Sequence, residues 1–282
     1  MGKEIKCELY NDNFQNYKRY NIPKAQLVIA DIPYNIGTNF YGSNPMWYVG
    51  GDNKNGESKL AGKAAFNTDF NFNLAEYFHF CGKLLKKEPK KGGERGRSSD
   101  APCMLMFCSF EQQAPLIEMA KKHGYAHYIP LVFVKNYSPQ VLKANMRICG
   151  ATEYGLLFYR GYLPKFRNGG HMVFNWFTWP SDEMGKYPKL HPSQKPVALM
   201  KRLIEIFTDP GDVVIDPVAG SGSTLRAAWE SGRNSYGFEC WKEMYKKATS
   251  SMLKLPDVRQ IGLFEAVPDV EQMRMDYLEV VE

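Results

Sequence analysis

One segment in the last third of the chain restricts the fold more than any other. An apolar run at 213–215 leads into a turn that contains Gly220 and Gly222, and a helix-compatible sequence follows from Thr224. Glycine permits positive φ angles and lets a ligand approach the backbone closely. The first N–H groups of a helix favour an anionic ligand group such as a carboxylate. The segment therefore predicts a strand, a turn and a helix of an α/β protein, with a ligand at the turn.

The same alternation of strand and helix patterns recurs along the chain. Together the segments predict a mostly parallel, doubly wound sheet with helices on both faces. We expect one domain over 1–282, because this length fits a single α/β domain with an insertion. The predicted strands are 26–30, 104–107, 129–134, 154–159, 213–215 and 235–238, and the predicted helices are 73–87, 111–123, 197–207 and 224–230.

The composition narrows the class of protein and of partner. With 44% hydrophobic and 23% charged residues, the chain resembles ordinary soluble proteins. No apolar run approaches the ~18 residues of a membrane span, so we expect no membrane partner and a cytoplasmic location. The six cysteines contain no C-x-x-C pair, which indicates reduced thiols and no metal site. The net charge is +6 although the tail 255–282 is acidic, so the body is basic and suits a polyanionic partner.

Carboxylates follow three of the predicted strands. Asp31 ends the first of them and is followed by Ile32, Pro33 and Tyr34, while Asp216 and Glu239 end the last two. The carboxyl ends of parallel strands share one edge of a sheet, where such proteins bind ligands. Asp31 and Tyr34 offer a hydrogen-bond acceptor beside a stacking surface, although Asp and Pro are also the residue types of a plain turn after a strand.

The glycine-rich turn differs from two phosphate-binding patterns. A P-loop requires Lys after its last glycine, and this chain has Ser223 there; a dinucleotide fingerprint requires a third glycine, where this chain has Leu225. Glu239 can bind the two hydroxyls of a ribose. The combination fits a nucleoside that also carries a carboxylate, which describes S-adenosylmethionine.

Four motifs, in one consistent order over about 26–245, resemble those of the permuted beta group of DNA amino-methyltransferases. They are Asp-Ile-Pro-Tyr at 31–34, His-Pro-Ser-Gln-Lys-Pro at 191–196, Asp-Pro-Val-Ala-Gly-Ser-Gly at 216–222 and Phe-Glu at 238–239. The resemblance implies the S-adenosylmethionine-dependent methyltransferase fold, with S-adenosylmethionine as cofactor. It also implies methyl transfer to adenine N6 of a base flipped out of double-stranded DNA.

The resemblance also implies roles for individual residues. Asp31 would accept a hydrogen bond from an N–H of the target amine, Tyr34 would stack on the base, and transfer would need no catalytic cysteine. Ile32 stands where proline is usual, and we expect its carbonyl to act and its side chain not to matter. Val218 replaces an aromatic residue. The implied catalytic residues are Asp31, Ile32, Pro33 and Tyr34; the implied cofactor-binding residues are Ser193, Gln194, Lys195, Asp216, Val218, Gly220, Gly222, Thr224, Glu239 and Cys240.

Target recognition in this group usually precedes the His-Pro motif, which points to the aromatic-rich interval 161–190, irregular from 162 on. A surface loop packed on the core is the other interpretation of this interval. The long polar stretch 35–67 is predicted to be a mobile loop that shares recognition or closes over the flipped base. Lys135 and Glu153 are minor candidates near the base pocket. The candidate DNA contacts are Lys165, Arg167, Asn175 and Trp176.

The residues leave alternative functions open. Cytosine N4 or RNA can be the substrate, because amino groups of both bases present similar hydrogens. A nucleic-acid-binding protein with an inactive methyltransferase fold is the non-enzymatic alternative. A homodimer and a cognate restriction endonuclease are compatible with the resemblance as further partners.

Overall fold

A computed structural model describes residues 5–34, 72–90, 100–136, 141–143, 148–180, 182, 185–191 and 193–254. The predicted mobile loop 35–67 and the acidic tail 255–282 lie outside the described residues. The described strands are β1 (Cys7–Tyr10), β2 (Leu27–Asp31), β3 (Cys103–Cys108), β4 (His127–Lys135), β5 (Val141–Lys143), β6 (Ile148–Cys149), β7 (Thr152–Tyr159), β8 (Trp176–Trp179), β9 (Val213–Asp216) and β10 (Asn234–Phe238).

Helices connect most of these strands. None of the helices in the described ranges combines the length and the apolar character needed to cross a bilayer. They are α1 (Leu74–Leu84), α2 (Gln113–Lys122), α3 (Val197–Phe207), α4 (Ser223–Glu230) and α5 (Lys242–Lys247), with a 3₁₀ turn at Phe14–Arg19 and a π-helical turn at Ala248–Met252.

Eight strands form one mixed, mostly parallel sheet in the order β1-β10-β9-β2-β3-β7-β4-β8, and β5 and β6 form a separate pair. β7 alone runs antiparallel, between β3 and β4. The predicted mostly parallel sheet is confirmed. The chain passes from β3 through α2 to β4 and leaves one strand position between them, which β7 occupies.

The central strands are buried on both sides. Val28 and Ala30 of β2 face a core that includes α1 and α2, while Leu27 and Ile29 face a second core that includes α3 and α4. Successive strand residues point to opposite faces, so continuous apolar runs belong to strands covered on both sides. This explains why the predicted strands lack polar alternation.

The structure differs from the sequence-based expectation at several elements, among them β5, β6 and α5, which were not predicted. The interval predicted to be irregular contains β8, which pairs in parallel with β4. β1, which was not predicted, pairs in parallel with β10. Helix α1 ends at Leu84 rather than 87, because Leu85 bridges to Ala25 and the Lys86 N–H donates to the Ala25 carbonyl.

Candidate active site

The sheet has a topological switch point between β2 and β9. These neighbours are parallel, but the chain leaves β2 toward β3 and leaves β9 toward β10, on opposite sides. Such a point opens a crevice at the carboxyl ends of the strands. Asp31 and Asp216 flank this crevice as the last residues of β2 and β9, and Glu239 follows β10. The structure thus brings the three predicted carboxylates to one edge.

The glycine-rich turn connects β9 to α4 and is held by its own backbone. Gly220 and Gly222 have φ angles of 52° and 82°, in the left-handed region that favours glycine. The Gly222 N–H donates to the Ala219 carbonyl at 2.8 Å. A Cβ on Gly222 would also lie 3.3 Å from the Leu253 side chain. The turn therefore needs glycine for both conformation and packing.

Asp216 is a buried carboxylate beneath this turn. Its Oδ1 accepts the Val218 N–H at 3.0 Å, and the Thr224 side chain is a second partner. Burial raises the pKa of Asp216 from 3.8 to about 7, and the negative charges of Asp31 and Glu239 contribute to the rise. A cation at this place would restore the ionised form.

Glu239 lies at the outer side of the same edge. Its Oε1 accepts the Trp241 N–H at 2.6 Å, and its backbone N–H donates to the Tyr10 carbonyl at 3.0 Å. Burial raises the pKa of Glu239, and the Gly220 N–H opposes the rise by hydrogen bonding. Strand β1 therefore supports the Glu239 backbone. The neighbouring Cys240 is exposed.

Asp31 belongs to a cluster of alternating charges. The Lys195 ammonium lies 2.5 Å from Asp31 Oδ2 and 3.1 Å from Glu153 Oε2. Lys135 donates to the other oxygen of Glu153. Asp31 Oδ1 is buried and receives no hydrogen bond within the part of the chain that the structure describes. A buried acceptor without a donor is costly, and a bound amine would supply the donor.

The loop after Asp31 is fixed at Pro33 and Tyr34. The Gln112 amide donates to the Pro33 carbonyl at 2.8 Å, while its oxygen accepts the Ser109 N–H at 3.0 Å. The Tyr34 hydroxyl donates to Glu153 Oε2 at 3.2 Å. These bonds orient the Tyr34 ring beside Asp31. Gln112 was not predicted, since a glutamine before a helix carries no motif.

Ile32 corrects one sequence-based expectation. Its side chain is 1% exposed and belongs to the core that contains Val28 and Ala30. The side chain was expected not to matter, yet it anchors the loop 31–34 to the core. A buried isoleucine keeps this loop in place through apolar packing.

The His-Pro segment delivers Lys195 to Asp31. Gln194 is buried and fixes the segment, since its amide donates to the Pro188 carbonyl and its oxygen accepts the Leu190 N–H. The Ser193 hydroxyl lies 2.8 Å from His191 Nδ1. On the sequence alone, Lys195 was assigned to the cofactor only. Its contact with Asp31 was not predicted.

Two candidate DNA contacts lie at the opposite edge of the sheet. Lys165 is buried, 2.8 Å from Asp209 and 2.7 Å from Asp212, which precedes β9. Arg167 pairs with Asp209 and with Asp100, which precedes β3. These residues are at the amino ends of parallel strands, so Lys165 and Arg167 are structural cations here. This placement argues against their assignment as DNA contacts.

Asn175 and Trp176 lie at the start of β8. The Asn175 amide donates to the Pro130 carbonyl, and the Trp176 ring, 41% exposed, stacks against the exposed Phe174. At the other end of β8, the Trp179 ring lies 4.7 Å from the Lys135 ammonium. Strand β8 therefore runs from an exposed aromatic pair to the charge cluster.

Comparisons with known proteins identify the family. The profile of the DNA methylase family, of the N6 and N4 type, matches residues 25–250. DNA adenine methyltransferase YhdJ of Escherichia coli (strain K12) is 29% identical over 263 residues, covering 87% of this chain and 82% of YhdJ. Type II methyltransferase M.MjaI of Methanocaldococcus jannaschii is 28% identical over 162 residues, covering 49% of this chain and 53% of M.MjaI.

Solved structures share the fold. The complex of M1.HpyAVI with SAM has a TM-score of 0.59 at 22% identity, covering 88% of this chain and 99% of that one. The PvuII DNA methyltransferase, specific for cytosine N4, has a TM-score of 0.58 at 16% identity, covering 97% and 91%. The family profile spans most of the sequence and includes all four motifs, so the chain belongs to the N6/N4 DNA methylase family and is a DNA amino-methyltransferase.

Proposed function

We propose that the protein transfers a methyl group from S-adenosylmethionine to N6 of adenine in double-stranded DNA. The observation that carries this proposal is a buried carboxylate oxygen of Asp31. This carboxylate ends β2 at the switch point, beside the Tyr34 ring, and its buried Oδ1 receives no hydrogen bond from the described residues. An exocyclic amine of a base extruded from the duplex is a donor of the required kind.

The carboxylates around the glycine-rich turn suit the cofactor. The diol of the ribose fits Glu239, and the positively charged amino acid part fits the buried Asp216, whose pKa is raised by burial. The amino end of α4, after Gly222, suits the carboxylate of the same group. When bound, the cofactor supplies an activated methyl group.

The residues around Asp31 would prepare the amine. Asp31 accepts one N–H, which localises the nitrogen lone pair and stabilises the positive charge that develops on nitrogen. Tyr34 lies where its ring can stack on the base, and the Glu153 carboxylate fixes its hydroxyl. Gln112 holds Pro33 and keeps the loop in one conformation.

Adenine is proposed as the base for two reasons. Asp at the first position of the 31–34 motif favours adenine N6 within the resembling group, and the relative YhdJ is a DNA adenine methyltransferase. For the duplex, Asn175 and the exposed Trp176 remain the proposed DNA contacts. Lys165 and Arg167 are left out, because both are engaged in ion pairs at the far edge.

Incubation of the protein with duplex DNA and labelled S-adenosylmethionine tests the proposal. Digestion to nucleosides should give N6-methyldeoxyadenosine, and Asp31→Ala should abolish it while leaving the cofactor dissociation constant largely unchanged. N4-methyldeoxycytidine would overturn the choice of base, and methylation of RNA alone would overturn the substrate. Full activity of Asp31→Ala would overturn the mechanism.

A further inference from the structure

We propose that Lys195 is a positioning residue that holds Asp31 as a carboxylate and turns its second oxygen toward the target amine. This inference rests on the proposed function and adds a residue to its mechanism. It follows from where the Lys195 side chain lies, at the contact between the His-Pro segment and the end of β2.

The position of the Lys195 ammonium is strongly constrained. It lies 2.5 Å from Asp31 Oδ2 and 3.1 Å from Glu153 Oε2, and its side chain is only 6% exposed. Three aromatic rings surround it, with centroids 5.2 Å (Phe107), 5.6 Å (Tyr34) and 5.6 Å (Trp179) from Nζ. Ring faces attract cations, so this cage stabilises an ammonium in a dry place.

The two carboxylate oxygens of Asp31 have different surroundings. Oδ2 is taken by Lys195, and Oδ1 is the buried oxygen without a donor among the described residues. An ionised carboxylate only accepts hydrogen bonds, whereas a protonated one also donates. A target amine needs an acceptor, so the ionised form is the one that can orient it.

Several charged or titratable groups of the described residues face Asp31 and influence whether it is ionised. Burial favours the neutral acid and raises the pKa of Asp31, and Lys195 is the largest opposing influence. Glu153 raises this pKa and the Tyr34 hydroxyl lowers it. The Cys108 thiol and Asp216 are also within electrostatic reach of Asp31.

A second ion pair holds Lys195 itself. Lys135 pairs with Glu153, and its ammonium lies 4.7 Å from the Trp179 ring centroid. Lys195 and Lys135 outweigh the effect of burial and lower the pKa of Glu153. Lys135, Glu153, Lys195 and Asp31 thus alternate in sign and sum to zero, which reduces the cost of burying four charges.

Carbon-13 NMR of the protein labelled at aspartate carboxyl carbons measures the ionisation of Asp31 without any turnover. The Asp31 signal is identified by its loss in Asp31→Asn. In Lys195→Met, the pKa of Asp31 should rise by about 1 to 3 units, the usual effect of one adjacent opposite charge. Lys121→Met removes an exposed lysine at the far end of α2 and should leave this pKa unchanged.

Glu153→Gln supplies a change of opposite sign. It removes a negative charge beside Asp31, so the pKa of Asp31 should fall, which general loosening of the site would not produce. If Lys195→Met alone does not fold, the double variant Lys195→Met/Glu153→Gln replaces it. The pKa of Asp31 in the double variant should then lie above the pKa of Asp31 in Glu153→Gln. An unchanged Asp31 pKa in the lysine variant would overturn the proposal.

Single-turnover methylation as a function of pH links the ionisation of Asp31 to the reaction. The acidic limb of the profile should move to higher pH in Lys195→Met by the same amount as the NMR pKa, and a profile that keeps its position would overturn the proposal. If the wild-type protein methylated no DNA, the proposed function would fail, whereas the NMR result would still decide the role of Lys195.

Discussion

Gly237 on β10 faces Leu225 on α4 at a distance that leaves no room for a methyl group. A Cβ at Gly237 would lie 2.8 Å from Leu225 Cδ1 and 3.1 Å from the Ala219 Cβ. Because Gly237 pairs with Asp216 and precedes Glu239 by two residues, this contact sets how far the glycine-rich turn stands from the outer carboxylate. The spacing of the cofactor-side groups therefore depends on a missing side chain.

Gly237→Ala should destabilise the protein by about 1–3 kcal/mol, since overpacking forces Leu225 or the turn to move. Urea unfolding measures this. Gly82→Ala is the matched control, because the nearest atom to its new Cβ is Arg160 Nη2 at 3.6 Å. That helical position should gain about 0.5–1 kcal/mol. Equal stability of wild type and Gly237→Ala would contradict the close contact.

Asp216 should make the stability of the cofactor-free protein depend on pH. Its pKa is about 7 in the folded protein, and an unfolded chain releases the proton near 3.9. Between these values only the folded state keeps the proton, so stability falls by up to about 1.4 kcal/mol per pH unit as pH rises from 4 to 7. Asp216→Asn retains the Val218 hydrogen bond and should lose this slope. Parallel pH curves of the two proteins would refute the assignment.

Glu239→Gln should weaken binding of S-adenosylhomocysteine by about 10- to 100-fold, as expected for a hydrogen bond to a charged group. Calorimetric titration provides the dissociation constants. Glutamine can still accept the Trp241 N–H, so the local fold is preserved. Glu243→Gln, exposed on α5, serves as the control. An unchanged dissociation constant for Glu239→Gln would exclude a ribose contact.

Lys165→Met should lower stability by about 1–3 kcal/mol, because Asp209 and Asp212 lose their buried cation and keep the more exposed Arg167 and Lys86 as partners. Its affinity for duplex DNA should stay close to that of the wild type. Lys6→Met, which breaks an exposed ion pair with Glu8, should cost less than about 1 kcal/mol. A large loss of DNA affinity with unchanged stability would restore Lys165 as a DNA contact.

Trp176→Ala should weaken DNA binding by about 5- to 100-fold if its exposed ring stacks on the nucleic acid. Fluorescence anisotropy with a labelled duplex measures the affinity. Tyr162→Ala removes another partly exposed ring, which follows the end of β7 at the opposite edge, and should have little effect. Equal affinities of the two variants would remove Trp176 from the proposed interface.

Motifs and apolar runs were sufficient to predict most of the sheet and the groups at its carboxyl edge. An apolar run precedes each of Asp31, Asp216 and Glu239, so the sequence predicted that each lies at the end of a parallel strand. Glu153 was harder to place, because β7 runs antiparallel and its beginning, rather than its end, reaches this edge. Strand direction depends on tertiary pairing and has no local signal.

The ion pairs of Lys165 and Arg167 could not be predicted from the sequence either. Lys165 and Arg167 look like a basic patch along the chain, but their partners Asp209 and Asp212 are more than 40 residues away. Composition reports which charges exist and not which are neutralised on folding. Strand β8 was not predicted because its Trp-Phe-Thr-Trp sequence is short and because it is the outermost strand of the sheet, beside β4.

The ion pair between Asp31 and Lys195 joins residues 164 positions apart. Neither β2 nor the segment before α3 can create it alone, and Glu153 must arrive on a third element. A molecule in which α3 has locally detached would keep its acid but lose the cation beside it. Such a molecule would need a higher pH to ionise Asp31, so at a fixed pH a completely folded copy would methylate DNA faster.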